Sequence, residues 1–152
     1  MKCLFSVIGC LAFLVLINNM RAGEKPIAKK NIPAAVLSSF QQRYPNAKIV
    51  GQSKEVKGKI VNYEIESMDS TISRNVLFQP DGTLVEVEES IREEDLPAVV
   101  RQAVKDKYPS ARVDRVESVT RDKHVEYELV LKNGKRSISV VVNSAGKIFK
   151  IQ

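Results

Sequence analysis

Tryptophan is absent from the 152 residues, histidine occurs once, at His124, and the two cysteines, Cys3 and Cys10, both fall in the first ten residues. Beyond Cys10 no disulfide framework is possible. No set of Cys and His ligands for zinc can be assembled, and no cofactor is expected. A serine triad would have only His124 as its base. No nucleophile elbow, phosphate loop or dinucleotide fingerprint occurs. Past residue 22 no apolar stretch approaches the ~20 residues a membrane span needs. Charge of one sign is also modest. The formal net charge is +6, and without Lys2 and Arg21 the remaining 22 basic and 18 acidic residues leave +4. That suits solubility and falls short of a nucleic-acid footprint. Lys25, Lys29 and Lys30 have no stacking aromatics beside them and read as part of a flexible, soluble tail.

What is present begins with an export signal. Lys2 gives a positive start, Leu4 to Ile17 is largely apolar, and Asn18, Asn19, Met20 and Arg21 end the run before small residues at Ala22 and Gly23. This order is that of a secretory signal peptide, with cleavage expected near Ala22 or Gly23. Cys10 lies inside the apolar run, which continues through Leu16, so lipidation there is not expected. The location implied is periplasmic or secreted.

The rest of the chain repeats itself. Residues 32–88 lie over residues 96–152 without a gap, at a constant offset of 64. Ile32-Pro33-Ala34-Ala35-Val36 matches Leu96-Pro97-Ala98-Val99-Val100, and Tyr44-Pro45-Asn46-Ala47 matches Tyr108-Pro109-Ser110-Ala111. Val61-Asn62-Tyr63-Glu64 matches Val125-Glu126-Tyr127-Glu128, and Gly82 matches Gly146. The organisation expected is a signal peptide over 1–22, a tail over 23–31, one repeat over 32–88, a junction over 89–95 and a second repeat over 96–152.

Each repeat opens with a helix. Val36, Leu37, Phe40 and Tyr44 recur at helical spacing, as do Val99, Val100, Ala103, Val104 and Tyr108. Asn31 and Asp95 are the expected N-caps. Pro45 and Pro109 stop the helices, because proline disfavours helical backbone in the residue before it. Four strands are expected after each helix, in the second repeat near 112–120, 123–131, 136–143 and 147–152. Asn133-Gly134 is a hairpin signal. Alternation puts Val61, Tyr63 and Ile65, and likewise Val125, Tyr127 and Leu129, beneath the helix. Asn62, Glu64 and Glu66, with His124, Glu126 and Glu128, then face the other way. The fold class is α+β, a helix and a four-stranded antiparallel meander occurring twice.

The Leu/Ile-Pro helix start, Tyr-Pro helix end, Tyr-Glu strand and closing Asp-Gly or Ala-Gly turn resemble the PepSY-like, β-lactamase-inhibitor-like family of periplasmic proteins. The resemblance covers essentially all of residues 32–152. It implies two units side by side whose sheets make one curved surface with both helices on one side. It also implies a protein-binding or inhibitory role, such as restraint of a secreted hydrolase or protease. The disulfides and abundant large aromatics of the known inhibitor have no counterpart here.

The candidate site residues follow from this. Glu64 and Glu128 hold one position in both copies. They read as solvated residues of the open sheet face that contribute to a binding surface. His124 reads as an exposed strand residue beside a hairpin. By the resemblance, a hairpin tip of the first copy reaches into a partner, which singles out Met68, exposed, and Asp69, within Ser67-Met68-Asp69-Ser70-Thr71. An acid on a rigid tip pairs with cations in a cleft, and methionine adapts to irregular apolar pockets. The acidic junction lacks the alternation and central glycine of a calcium loop; Glu93, Glu94 and Asp95 read instead as favouring the positive end of the second helix. The expected function is an exported, non-enzymatic, monomeric binding or inhibitory module with a protein partner, without nucleic acid or metal. The alternative is a periplasmic module that binds a small molecule or peptide, or senses the envelope, through a groove between the copies.

Overall fold

The computed structural model describes residues 24–150, and the expected signal peptide and cleavage site lie outside the described residues. In chain order the elements are β1 (Glu24–Pro26), α1 (Ala34–Arg43), β2 (Lys48–Lys57), β3 (Ile60–Asp69), β4 (Ile72–Phe78), β5 (Leu84–Ser90), α2 (Ala98–Lys107), β6 (Arg112–Arg121), β7 (His124–Asn133), β8 (Arg136–Asn143) and β9 (Ile148–Lys150). The strands form one nine-stranded antiparallel sheet in sequence order, open and curved. The two repeats join where β5 pairs with β6, from Val87 opposite Thr120 to Ser90 opposite Glu117.

Both helices begin after a proline, and neither has a side-chain cap. Asn31 and Asp95 are therefore not N-caps. Each closes a short 3-10 turn, Lys29–Asn31 or Glu93–Asp95. The next residue, Ile32 or Leu96, is extended, as a residue before proline must be. This extended step carries the candidate caps away from the first helical amides. Glu93, Glu94 and Asp95 form the turn itself, where Arg92 holds Asp95 at 2.8 Å and Glu94 at 3.2 Å. Tyr44 and Tyr108 end the helices with matching backbone, and their amides bond the carbonyls of Phe40 and Val104.

Each repeat has its own core on the helix side of the sheet. In the first, Ile32, Val36 and Phe40 meet Ile65, Val76 and Phe78, with Tyr44 and Tyr63 packed against them. In the second, Leu96, Val100 and Val104 meet Val116, Leu129, Leu131, Val140 and Val142, with Tyr108 and Tyr127 alongside. Val61 and Val125 are not among these core residues. They are half-buried and stand toward the β2–β3 and β6–β7 hairpin ends. Residues 24–26, expected in a flexible tail, instead pair with β2 as strand β1, and Ile27 packs on the first core.

The four long hairpins share one solution. Each is closed by two residues, and the first of these has positive φ: Gly58 at 61°, Ser70 at 55°, Asp122 at 52° and Gly134 at 60°. Asn133 is the last residue of β7, so the turn is Gly134-Lys135 rather than Asn133-Gly134. Two-residue loops with left-handed first positions match the twist of the flanking strands. The β-bulges at Val50 and Asp114 also repeat at the same offset, between Ile49 and Gly51 and between Val113 and Arg115.

Candidate functional site

Register decides which side chains share the face turned away from the helices. Glu24 lies opposite Glu55, and Glu55 opposite Asn62. Glu64 lies between Ser53 and Leu77, and Leu77 is followed by Glu86. Glu66 is followed by Asn75 and then Glu88, which faces Val119 across the repeat junction. Val119 faces Glu126, and Glu117 faces Glu128. Nine glutamates (24, 55, 64, 66, 86, 88, 117, 126 and 128) therefore share one face. They are half of the 18 acids in a chain whose net charge is positive. Against them this face has six Lys and Arg, namely Lys48, Lys57, Arg112, Arg115, Arg121 and Lys132.

The acids are placed by ion pairs and hydrogen bonds. Glu55, 2% exposed, takes the Lys57 ammonium at 2.6 Å. Glu86, also buried, pairs with Arg121, which reaches Glu126 at 3.4 Å as well. The Ser53 hydroxyl donates to Glu64 at 3.5 Å. Glu66 leans over Gly51, where an added Cβ would stand 2.6 Å from its carboxylate oxygen. Burial first, and then the charge of Glu24, hold the Glu66 carboxyl above the usual carboxylate range. Between the acids, Leu77 and Val119 are buried near the middle of the face, where the repeats meet.

Of the residues singled out from sequence, Glu64, Glu128 and His124 do lie on this face. Glu64 is buried rather than solvated, because it sits on an inner strand with Ser53 and Leu77 on either side. Glu128 is half-buried and His124 is exposed at the start of β7, opposite Arg121. Met68 and Asp69 are the last residues of β3 rather than turn residues; Met68 pairs with Ser73 and Asp69 with Ile72. Neither is fully exposed, because each has a cross-strand neighbour. The turn itself is Ser70-Thr71. Sequence reasoning missed Glu24, Glu55 and Glu117, and read Glu86 and Glu88 as acids of the junction rather than of this face. Alternation along each strand gives two faces, but only the pairing between strands shows which faces coincide.

A second polar group lies on the helix side of the first repeat. Arg74, 7% exposed, stacks on Tyr44 with its guanidinium carbon 4.3 Å from the ring centre. Its Nε donates to Glu89 at 2.6 Å, and Ser67 donates to the Arg74 carbonyl at 3.3 Å. The second repeat has Leu131 and Ile138 where the first has Ser67 and Arg74. Among the described residues no group of His, Cys, Asp or Glu is arranged to hold a metal, and no helix is long and apolar enough to cross a membrane.

A duplicated helix-and-meander unit with an open sheet face defines a class of small two-repeat α+β proteins. The sequence pattern of the beta-lactamase-inhibitor-like, PepSY-like family matches residues 19–73 and 62–150, and the chain belongs to that family. Solved structures share the fold. A DUF2874-family protein from Bacteroides ovatus is 19% identical, with a TM-score of 0.61 over 78% of this chain and 87% of its own. A BLIP-like protein from Bacteroides fragilis is 20% identical, with a TM-score of 0.59 over 77% and 83%. A Bacteroides eggerthii protein described as periplasmic is 17% identical, with a TM-score of 0.64 over 78% and 86%. No match was found among curated proteins.

Proposed function

We infer that this chain is an exported, non-catalytic binding module of the periplasm that holds a basic protein partner on the sheet face opposite its helices. The observation that carries the reading is the concentration of nine glutamates on that face of a basic chain. Such a face steers a cationic partner into register. At the β3–β4 hairpin Met68 continues this face and Asp69, next to it, turns to the other side of the strand; both belong to the proposed binding rim. A secreted hydrolase or protease with a basic cleft fits this chemistry, and the module acts as a monomer.

The test is crosslinked capture from the cell envelope, comparing the native chain with two variants. Glu117→Lys/Glu126→Lys inverts charge at two half-buried positions of the face. Met68→Ala/Asp69→Ala truncates the two side chains that lead into the β3–β4 turn. A partner that depends on the face is lost from the first variant and returns in high salt no better than in low. A partner retained at full yield by the first variant, with its fold intact, overturns the reading. Full retention by the second variant removes Met68 and Asp69 from it.

A further inference from the structure

The two repeats differ where each helix meets its sheet. In the first, Leu37 and Phe40 of α1 both pack on the core, and the Phe40 ring meets that of Tyr44 at 5.4 Å. The same positions 64 residues later are Arg101 and Val104. Two large apolar side chains are thus replaced by a cation that turns outward and by a smaller valine. At these positions lies a groove of about 310 Å³ between α2 and strands β6 and β7. That volume lies within the range of small-molecule sites, roughly 300–1,000 Å³.

The groove has two chemically distinct parts. Its floor is apolar, formed by Leu96, Val104, Val113 and Leu129. Its rim carries Arg101 and Lys105, one turn apart on α2, and also the acid Glu93; all three are exposed. Arg101 is fixed there, because its Nη1 donates to the backbone carbonyls of Glu93 at 3.4 Å and Glu94 at 3.1 Å. Those bonds use backbone oxygens and leave the guanidinium charge at the rim. Two cations against the one acid, Glu93, leave the rim net positive above an apolar floor, which suits a ligand with an apolar body and an anionic head.

We propose that this groove binds a medium-chain carboxylate, its hydrocarbon over Val104, Val113 and Leu129 and its carboxylate between Arg101 and Lys105. The site is separate from the acidic face, on the other side of the sheet, and stands or falls independently of it. The experiment is titration of octanoate into isotopically labelled protein, followed by amide and methyl resonances. Saturable shifts are expected at Val104, Tyr108 and Val113. Affinity should rise about fourfold per methylene from hexanoate to octanoate. Arg101→Gln/Lys105→Gln should weaken octanoate at least about fivefold while leaving octanol unchanged, since only the carboxylate makes charge-assisted bonds. Val104→Phe, which restores the ring of the first repeat, should abolish binding. Absence of a saturable shift at millimolar octanoate, or wild-type affinity in a folded Val104→Phe variant, overturns the proposal. If Val104→Phe fails to fold, the exposed double variant decides the matter, because equal affinity for octanoate there also overturns it.

Discussion

Phe40 and Val104 occupy the same helical position in the two repeats, and their truncation should have unequal consequences. Phe40 is 1% exposed and touches a core that includes Val36, Ile65, Val76 and Phe78. A buried phenylalanine removes roughly 150–250 Å² from water, worth about 4–6 kcal/mol at 25 cal/mol per Å². The extended-chain reference makes that an upper bound. Partial collapse of the cavity brings Phe40→Ala to about 3–5 kcal/mol. Val104→Ala removes two methyl groups beside a groove that already exists. About 1.5 kcal/mol is expected, at ~0.8 kcal/mol per carbon with little added cavity. Denaturant unfolding of both variants, with the slope monitored for two-state behaviour, gives the two numbers. A loss below about 1 kcal/mol for Phe40→Ala, or equal losses for the two variants, would refute the assignment of this helix face and the account of the groove.

Two further outcomes follow from the same structure. Ser70 holds φ at 55° in its hairpin, a conformation that costs a residue with a Cβ roughly 1–2 kcal/mol. Ser70→Gly should therefore raise stability in thermal unfolding by about 0.5–1 kcal/mol once the greater freedom of glycine in the unfolded chain is deducted. Glu66 has a raised pKa from burial and from Glu24, so its protonated form favours the fold. Its contribution is fully present below the ordinary value of 4.5 and is lost as pH rises through the raised folded-state value. Glu66→Gln should be more stable than the native chain at pH 7, with the difference disappearing in acid; parallel melting curves across pH would contradict this.

Relations between neighbours along the chain were legible in sequence. The 64-residue offset, the Tyr-Pro helix ends and the alternation in β3 and β7 gave two repeats, their helices and most of their strands, because each signal is local. Side-chain period and the proline constraint act within a few residues. The caps were misplaced because two adjacent local rules compete. Asn31 and Asp95 have the right side chains, but the proline two residues later forces an extended step between them and the helix. Asn133 was placed one position too far into its turn because a strand end and a turn start look alike until its partner, Arg136, is known.

The sequence by itself therefore determined the duplicated α+β unit, its helix faces and the two sides of each strand. Tertiary structure decided what those sides meet. The pairing of β5 with β6 makes one sheet of two meanders and gathers Glu24, Glu55, Glu86 and Glu117 onto the face of Glu64 and Glu128. Pairing with β2 turns residues 24–26 from tail into strand. The replacement of Leu37 and Phe40 by Arg101 and Val104 is visible in the sequence, but a groove exists only because α2 is held over β6 and β7 by the rest of its core. Register and packing distance depend on residues far apart in the chain, and no local period encodes them.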